Sequence, residues 1–146
     1  MARMRTLLAL GTRGRAFRRR LPPSLGGAVF PASTDGGLKH LRLDAASIDP
    51  MLTGFAKRFV KPGMVVWDVG ANVGLFTFAA AGLAGPSGRV VAVEADIRLA
   101  GNLRRAAAWN TDGKKTATVD VVPTALAGSV GVAEFNIAKA AGPPTT

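Results

Sequence analysis

The 146-residue chain contains no cysteine and no tyrosine, and its one histidine is His40. Without cysteine there are no disulfides and no thiolate metal sites. A lone histidine excludes a multi-histidine metal site, and no metal is expected. No apolar run approaches the roughly 20 residues that a membrane span needs. Thr6-Leu7-Leu8-Ala9-Leu10 falls short of the roughly 7–15 apolar residues of a signal-peptide core. Both absences point to the cytoplasm. Acids are scarce: 9 Asp and Glu stand against 19 Lys and Arg, for a net charge of +10. The apolar share of 48% still describes a chain able to build a core. Its length allows one domain.

The positive charge is unevenly spread. Arg3, Arg5, Arg13, Arg15, Arg18, Arg19 and Arg20 hold seven charges with no acid among them, leaving +3 for the rest. Residues 1–27 therefore read as a basic, poorly ordered leader. Such a run suits a nucleic-acid or anionic-membrane patch. Only Phe17 interleaves it with an aromatic, so a solvated tail is the better reading, and no nucleic-acid partner is expected. Residues 28–46 suggest a hairpin. Ala28-Val29-Phe30 and Leu38-Lys39-His40-Leu41-Arg42-Leu43 flank the turn signal Thr34-Asp35-Gly36-Gly37. His40 reads as a surface residue.

Asp49-Pro50 marks a helix start, with Asp as cap and Pro at the first helical position. Ile48, Met51, Leu52, Phe55 and Phe59 recur at helical spacing and predict a core-facing stripe. Met64-Val65-Val66-Trp67-Asp68 reads as a parallel strand covered on both faces. A glycine turn, Gly70-Ala71-Asn72-Val73-Gly74, leads into a helix that Gly85-Pro86-Ser87-Gly88 breaks. Arg89-Val90-Val91-Ala92-Val93-Glu94 is a second strand ending in an acid. Asp96 caps a further helix with Leu99, Leu103, Ala106 and Ala107 on one face. Ala117–Val122 alternates like a strand near a sheet edge. Val132–Ile137 suggests a last strand.

Strand–helix–strand units of this kind bind ligands beyond the carboxyl ends of their strands. Asp68 and Glu94 stand at two such ends, and Gly70 and Gly74 let the backbone approach a ligand. A dinucleotide would set a pyrophosphate on the turn. Asp68, just upstream, would oppose that charge. It favours a ligand carrying an ammonium and a sulfonium, as S-adenosylmethionine does. Glu94 is spaced to accept hydrogen bonds from ribose hydroxyls. Taken singly, Asp68 also reads as a cap on the turn and Glu94 as an exposed strand terminus.

Lys61-Pro62-Gly63, then Asp68-Val69-Gly70-Ala71-Asn72-Val73-Gly74 and Gly88-Arg89-Val90-Val91-Ala92-Val93-Glu94, resemble the FkbM family of S-adenosylmethionine-dependent methyltransferases. Asn110 resembles a recurrent asparagine closing the next helix. Val122-Pro123-Thr124-Ala125-Leu126-Ala127-Gly128, with Gly131 and Phe135, resembles the family's third strand and hairpin. Ala95 departs from a usual proline, and Ala106 from a usual asparagine. The resemblance implies a Rossmann-like class I methyltransferase fold, α/β, here truncated to about three parallel strands with flanking helices. It implies a cofactor-binding set of Asp68, Gly70, Ala71, Asn72, Gly74, Glu94 and Ala125. The cofactor it implies is S-adenosylmethionine, and the acceptor it implies is a hydroxyl of a small molecule or glycan. It assigns no catalytic base. The family's fourth-strand motif does not follow, so residues 28–137 are expected to form a partial methyltransferase domain and residues 138–146 a tail. A truncated, inactive fragment and a basic nucleic-acid-binding module are the competing expectations.

Overall fold

The computed structural model describes residues 16–33, 49–111 and 115–136. Strand β1, Ala16–Arg20, pairs antiparallel with β2, Val29–Ser33, setting Arg20 opposite Val29. Pro23–Leu25 forms a single 3-10 turn between them. Residues 16–27, expected to be part of a poorly ordered leader, are instead built into the fold. Leu21, Leu25, Ala28 and Phe30 are almost wholly buried. Burying those apolar side chains outweighs leaving the strand in water, while the arginines beside them remain at the surface. The partner of β2 is therefore β1. The second strand of the expected hairpin, with His40, lies outside the described residues.

Helix α1, Pro50–Phe59, starts as its cap dictates: Leu52 N donates to Asp49 Oδ1 at 3.1 Å. The expected core-facing stripe is not buried. Met51 is 78% exposed, and Phe55 and Phe59 are about half exposed. The small residues Thr53 and Ala56 are the buried ones. Small side chains let the helix approach its neighbour closely, so the aromatic face turns outward. Phe55 stacks against Phe59 at 4.5 Å and reaches Phe76 at 6.0 Å. Ile48 lies outside the described residues.

The centre of the molecule is a parallel sheet in the order β3-β4-β5: Val65–Val69, Arg89–Val93 and Thr118–Val122. Helix α2, Leu75–Ala84, connects the first two strands, and α3, Ile97–Trp109, the last two. Short parallel strands need such crossovers. The main cluster joins Phe30 and Leu25 of the hairpin to Phe78 of α2, Ala92 of β4 and Leu103 of α3. The central strand β4 is the best covered, with Val90, Ala92 and Val93 buried. The first strand departs from expectation. Val65, Trp67 and Val69 are 64%, 64% and 54% exposed, because β3 ends the sheet and only one of its faces meets helices.

Asn110 fastens the hairpin to α3. Its Oδ1 accepts from Val29 N at 2.8 Å, and its Nδ2 donates to Val29 O at 2.7 Å and to Ala106 O at 2.8 Å. Residues 132–136, expected in a last strand, adopt no regular element, and Ile137 lies outside the described residues. The fold is α/β, with a three-stranded parallel sheet flanked by helices, compatible with a Rossmann-like piece. Among the described residues no helix is long and apolar enough to cross a membrane.

Candidate functional site

The turn between β3 and α2 takes its shape from three left-handed residues. Gly70 has φ 79°, Asn72 φ 51° and Gly74 φ 83°. Glycine adopts this region without strain, and asparagine tolerates it better than most residues. Gly70 N and Ala71 N both donate to Val93 O, at 2.9 and 3.0 Å, which ties the turn to the end of β4. The two glycines differ in role. A Cβ on Gly70 would meet nothing within 4 Å, so its backbone faces open space. A Cβ on Gly74 would lie 2.4 Å from Leu103 Cδ2, so any larger residue there would push the Leu103 side chain of α3 aside.

Glu94, just past β4, is only 7% exposed. Its Oε2 accepts from Asn72 N at 2.7 Å and its Oε1 from Asp96 N at 2.8 Å. It is therefore a buried clamp between the glycine turn and the start of α3, not an exposed strand terminus. Each of its oxygens retains a lone pair. Asp96 in turn caps α3, accepting from Arg98 N at 2.8 Å.

Asp68 stands half-buried near the end of β3. Thr77 Oγ1 donates to its Oδ2 at 2.5 Å. Burial pushes its carboxyl above the ordinary carboxylate value. The hydroxyl and backbone N–H of Thr77 oppose that rise, and the nearby charge of Glu94 adds to it. Asp68 thus also serves as the cap that the sequence allowed, meeting the first turn of α2, where backbone N–H groups favour negative charge.

A cavity of about 220 Å³ opens here, lined by Asp68, Gly70, Ala71 and Asn72, with Asp49 and Leu52 of α1 opposite. Four of the residues expected from the sequence therefore share one wall. Gly74 and Glu94 support that wall from behind. Ala125 is exposed in the segment after β5 and is not among the lining residues. Three residues of the site escaped the sequence reading: Thr77, Asp96 in its contact with Glu94, and Asp49 as cavity lining. Thr77 carried a signal, being the one polar side chain in the apolar run of α2.

Two larger cavities lie elsewhere. One, of about 730 Å³, is lined by Arg18, Arg20, Trp109 and Lys115, at the far end of α3. The other, of about 480 Å³, lies between α3 and β5. The smaller cavity is the better candidate because Asp49, Asp68 and the open backbone of the glycine turn line it, at the strand ends where α/β sheets hold ligands. The chain matches no protein-family model and no curated protein.

Proposed function

We propose that this chain is an S-adenosylmethionine-dependent methyltransferase of FkbM type, acting on a hydroxyl of a small molecule or glycan. One observation carries the reading. The buried Glu94 carboxylate grips the N–H of Asn72, while Asp68 faces the same left-handed turn from the other strand. An acidic rim beside open backbone suits a cationic nucleoside and opposes a phosphate. Asp68 would meet the positive end of the cofactor, Glu94 would accept from its ribose, and Gly70 and Ala71 would lie along it. When bound, S-adenosylmethionine supplies a methyl group on a sulfonium for transfer to an oxygen nucleophile. The protein's contribution is alignment of that methyl with the acceptor. Ligand pockets usually span about 300–1,000 Å³. A cavity of about 220 Å³ therefore suits one part of the ligand, with the remainder over the adjoining surface.

Calorimetric titration with S-adenosylhomocysteine tests this reading. Binding is expected, and Asp68→Ala should weaken it. A folded chain that shows no heat of binding, or an Asp68→Ala variant that binds equally, would overturn it. A second reading, cofactor binding without methyl transfer, draws on the uncovered β3 side of the cavity. It predicts the same calorimetry and no methyl incorporation into hydroxyl acceptors.

A further inference from the structure

The cavity of about 730 Å³ lies at the last turn of α3, where the β1–β2 hairpin meets the loop before β5. Three cations line it: Arg18 and Arg20 of β1, and Lys115 ahead of β5. Side chains alternate along a strand, so Arg18 and Arg20 stand on one face, opposite Pro31 and Val29, with roughly 7 Å between their Cα atoms. Like charges this close repel unless an anion lies between them. Among the described residues no carboxylate lines the cavity.

The cations are also held in place. The Arg18 guanidinium lies over the Trp109 ring, 4.7 Å from its centroid. That contact uses the flat face of the group and leaves its N–H edge for acceptors. Arg20 donates through Nη1 to Gly27 O at 2.9 Å and, among the described residues, keeps its other donors. The hairpin beneath them is fixed, because Asn110 ties both backbone groups of Val29 to α3. Nor are the cations needed to cap that helix. The carbonyls of Ala106, Ala107 and Ala108 already accept from Asn110 and Thr111. The negative end of α3 offsets part of the repulsion among the cations, while their hydrogen-bonding capacity is left for a ligand.

We propose that this cavity binds a small molecule carrying phosphate groups, held by Arg18, Arg20 and Lys115. Phosphate oxygens accept from a guanidinium edge in pairs, a geometry that arginine supplies and lysine does not. Phosphates in tandem match two arginines on one strand face better than a single charge does. The volume lies within the roughly 300–1,000 Å³ of small-molecule sites and exceeds what the phosphates alone fill. Pro23 and Val29 give the rest of the ligand an apolar wall. Because the cations line a concavity, they fit a free ligand rather than a membrane plane or a nucleic-acid duplex. The inference does not rest on the cofactor reading, since the two cavities share no residue.

Fluorescence of the full chain carrying Trp67→Phe tests this, because Trp109 is then its sole tryptophan. Inorganic pyrophosphate should change that emission saturably, with an affinity that falls as salt rises. Inorganic phosphate should bind more weakly. Calorimetry reads the variants in which Arg18 no longer covers the reporter ring. Arg18→Gln and Arg20→Gln should each weaken pyrophosphate binding roughly tenfold. Lys115→Gln, at an exposed position outside any helix or strand, should also weaken it and keeps the test open should an arginine variant fold poorly. Arg58→Gln removes the same charge from α1 and should change nothing. S-adenosylhomocysteine should not displace pyrophosphate. The absence of a saturable response overturns the proposal. So does Arg58→Gln weakening binding as much as Arg18→Gln, or displacement by S-adenosylhomocysteine. Single-stranded oligothymidylate or phosphatidylserine vesicles that bind through Arg18, with pyrophosphate unable to compete, would overturn it in favour of a nucleic acid or a membrane.

Discussion

Replacing Glu94 separates what holds the turn from what holds a ligand. Its two oxygens each accept one backbone N–H, from Asn72 and Asp96, and the carboxylate is almost fully buried. Hydrogen bonds to a charged group contribute about 1.5–3 kcal/mol each. Glu94→Ala leaves both N–H groups without their acceptor, and its cost is about 3–6 kcal/mol. That is a large share of the roughly 5–15 kcal/mol that holds a domain together. Each kcal/mol shifts Tm by about 2–4 °C in a chain near this size, so a fall on the order of 10 °C is expected. Glu94→Gln keeps an acceptor for one N–H and turns an amide toward the other, so its fall should be about half as large. Circular dichroism melts without ligand give both numbers. Glu94→Ala melting within 2 °C of the parent, or above Glu94→Gln, would refute the clamp. The ordering also governs binding work. A loss of S-adenosylhomocysteine affinity in Glu94→Ala reports the turn as well as the ribose contact, whereas Asp68→Ala acts on the rim.

Two further perturbations test the surrounding framework. Asp68 has its carboxyl raised by burial, so its contribution to stability is full below the ordinary carboxylate value and is lost as pH rises through the raised one. Asp68→Asn should therefore melt higher than the parent at pH 7, and the gain should vanish in acid. An equal or lower melt at pH 7 would contradict that sign. Asn110→Ala removes both bonds to Val29, at about 1 kcal/mol each. The urea midpoint should drop by the equivalent of about 2 kcal/mol with an unchanged slope. An unmoved midpoint would mean that the hairpin does not depend on Asn110.

The strand–turn–helix–strand core was legible because its signals are local. Asp49 and Asp96 cap as their positions imply, and Gly85-Pro86-Ser87-Gly88 ends α2 where it should. The misses involve partners distant in sequence. Periodicity told which residues of α1 share a face, but not that Thr53 and Ala56, rather than Phe55 and Phe59, would meet α2. The arginine run hid β1, since charge at Arg18–Arg20 outweighed the buried Leu21 and Leu25 that follow. At the candidate site, Asp68 and Glu94 were identifiable by their strand-end positions. Their partners were less so: Thr77 and the backbone of Asn72 are brought to them by the turn, and the right acid spacing says nothing of burial.

Among the described residues, the cavities near the two ends of α3 differ in charge. Its first residues adjoin Glu94 and Asp96, while Asp49 and Asp68 line the nearby cavity. Its last turn adjoins Arg18, Arg20 and Lys115, and among the described residues no acid lines that cavity. A helix of this length spans about 20 Å. Among the described residues, the cavity near the start of α3 is therefore lined by carboxylates and the one at its last turn by cations. A cationic ligand is therefore met by carboxylates at the first cavity and repelled by the arginines and lysine of the second, and an anionic one the reverse.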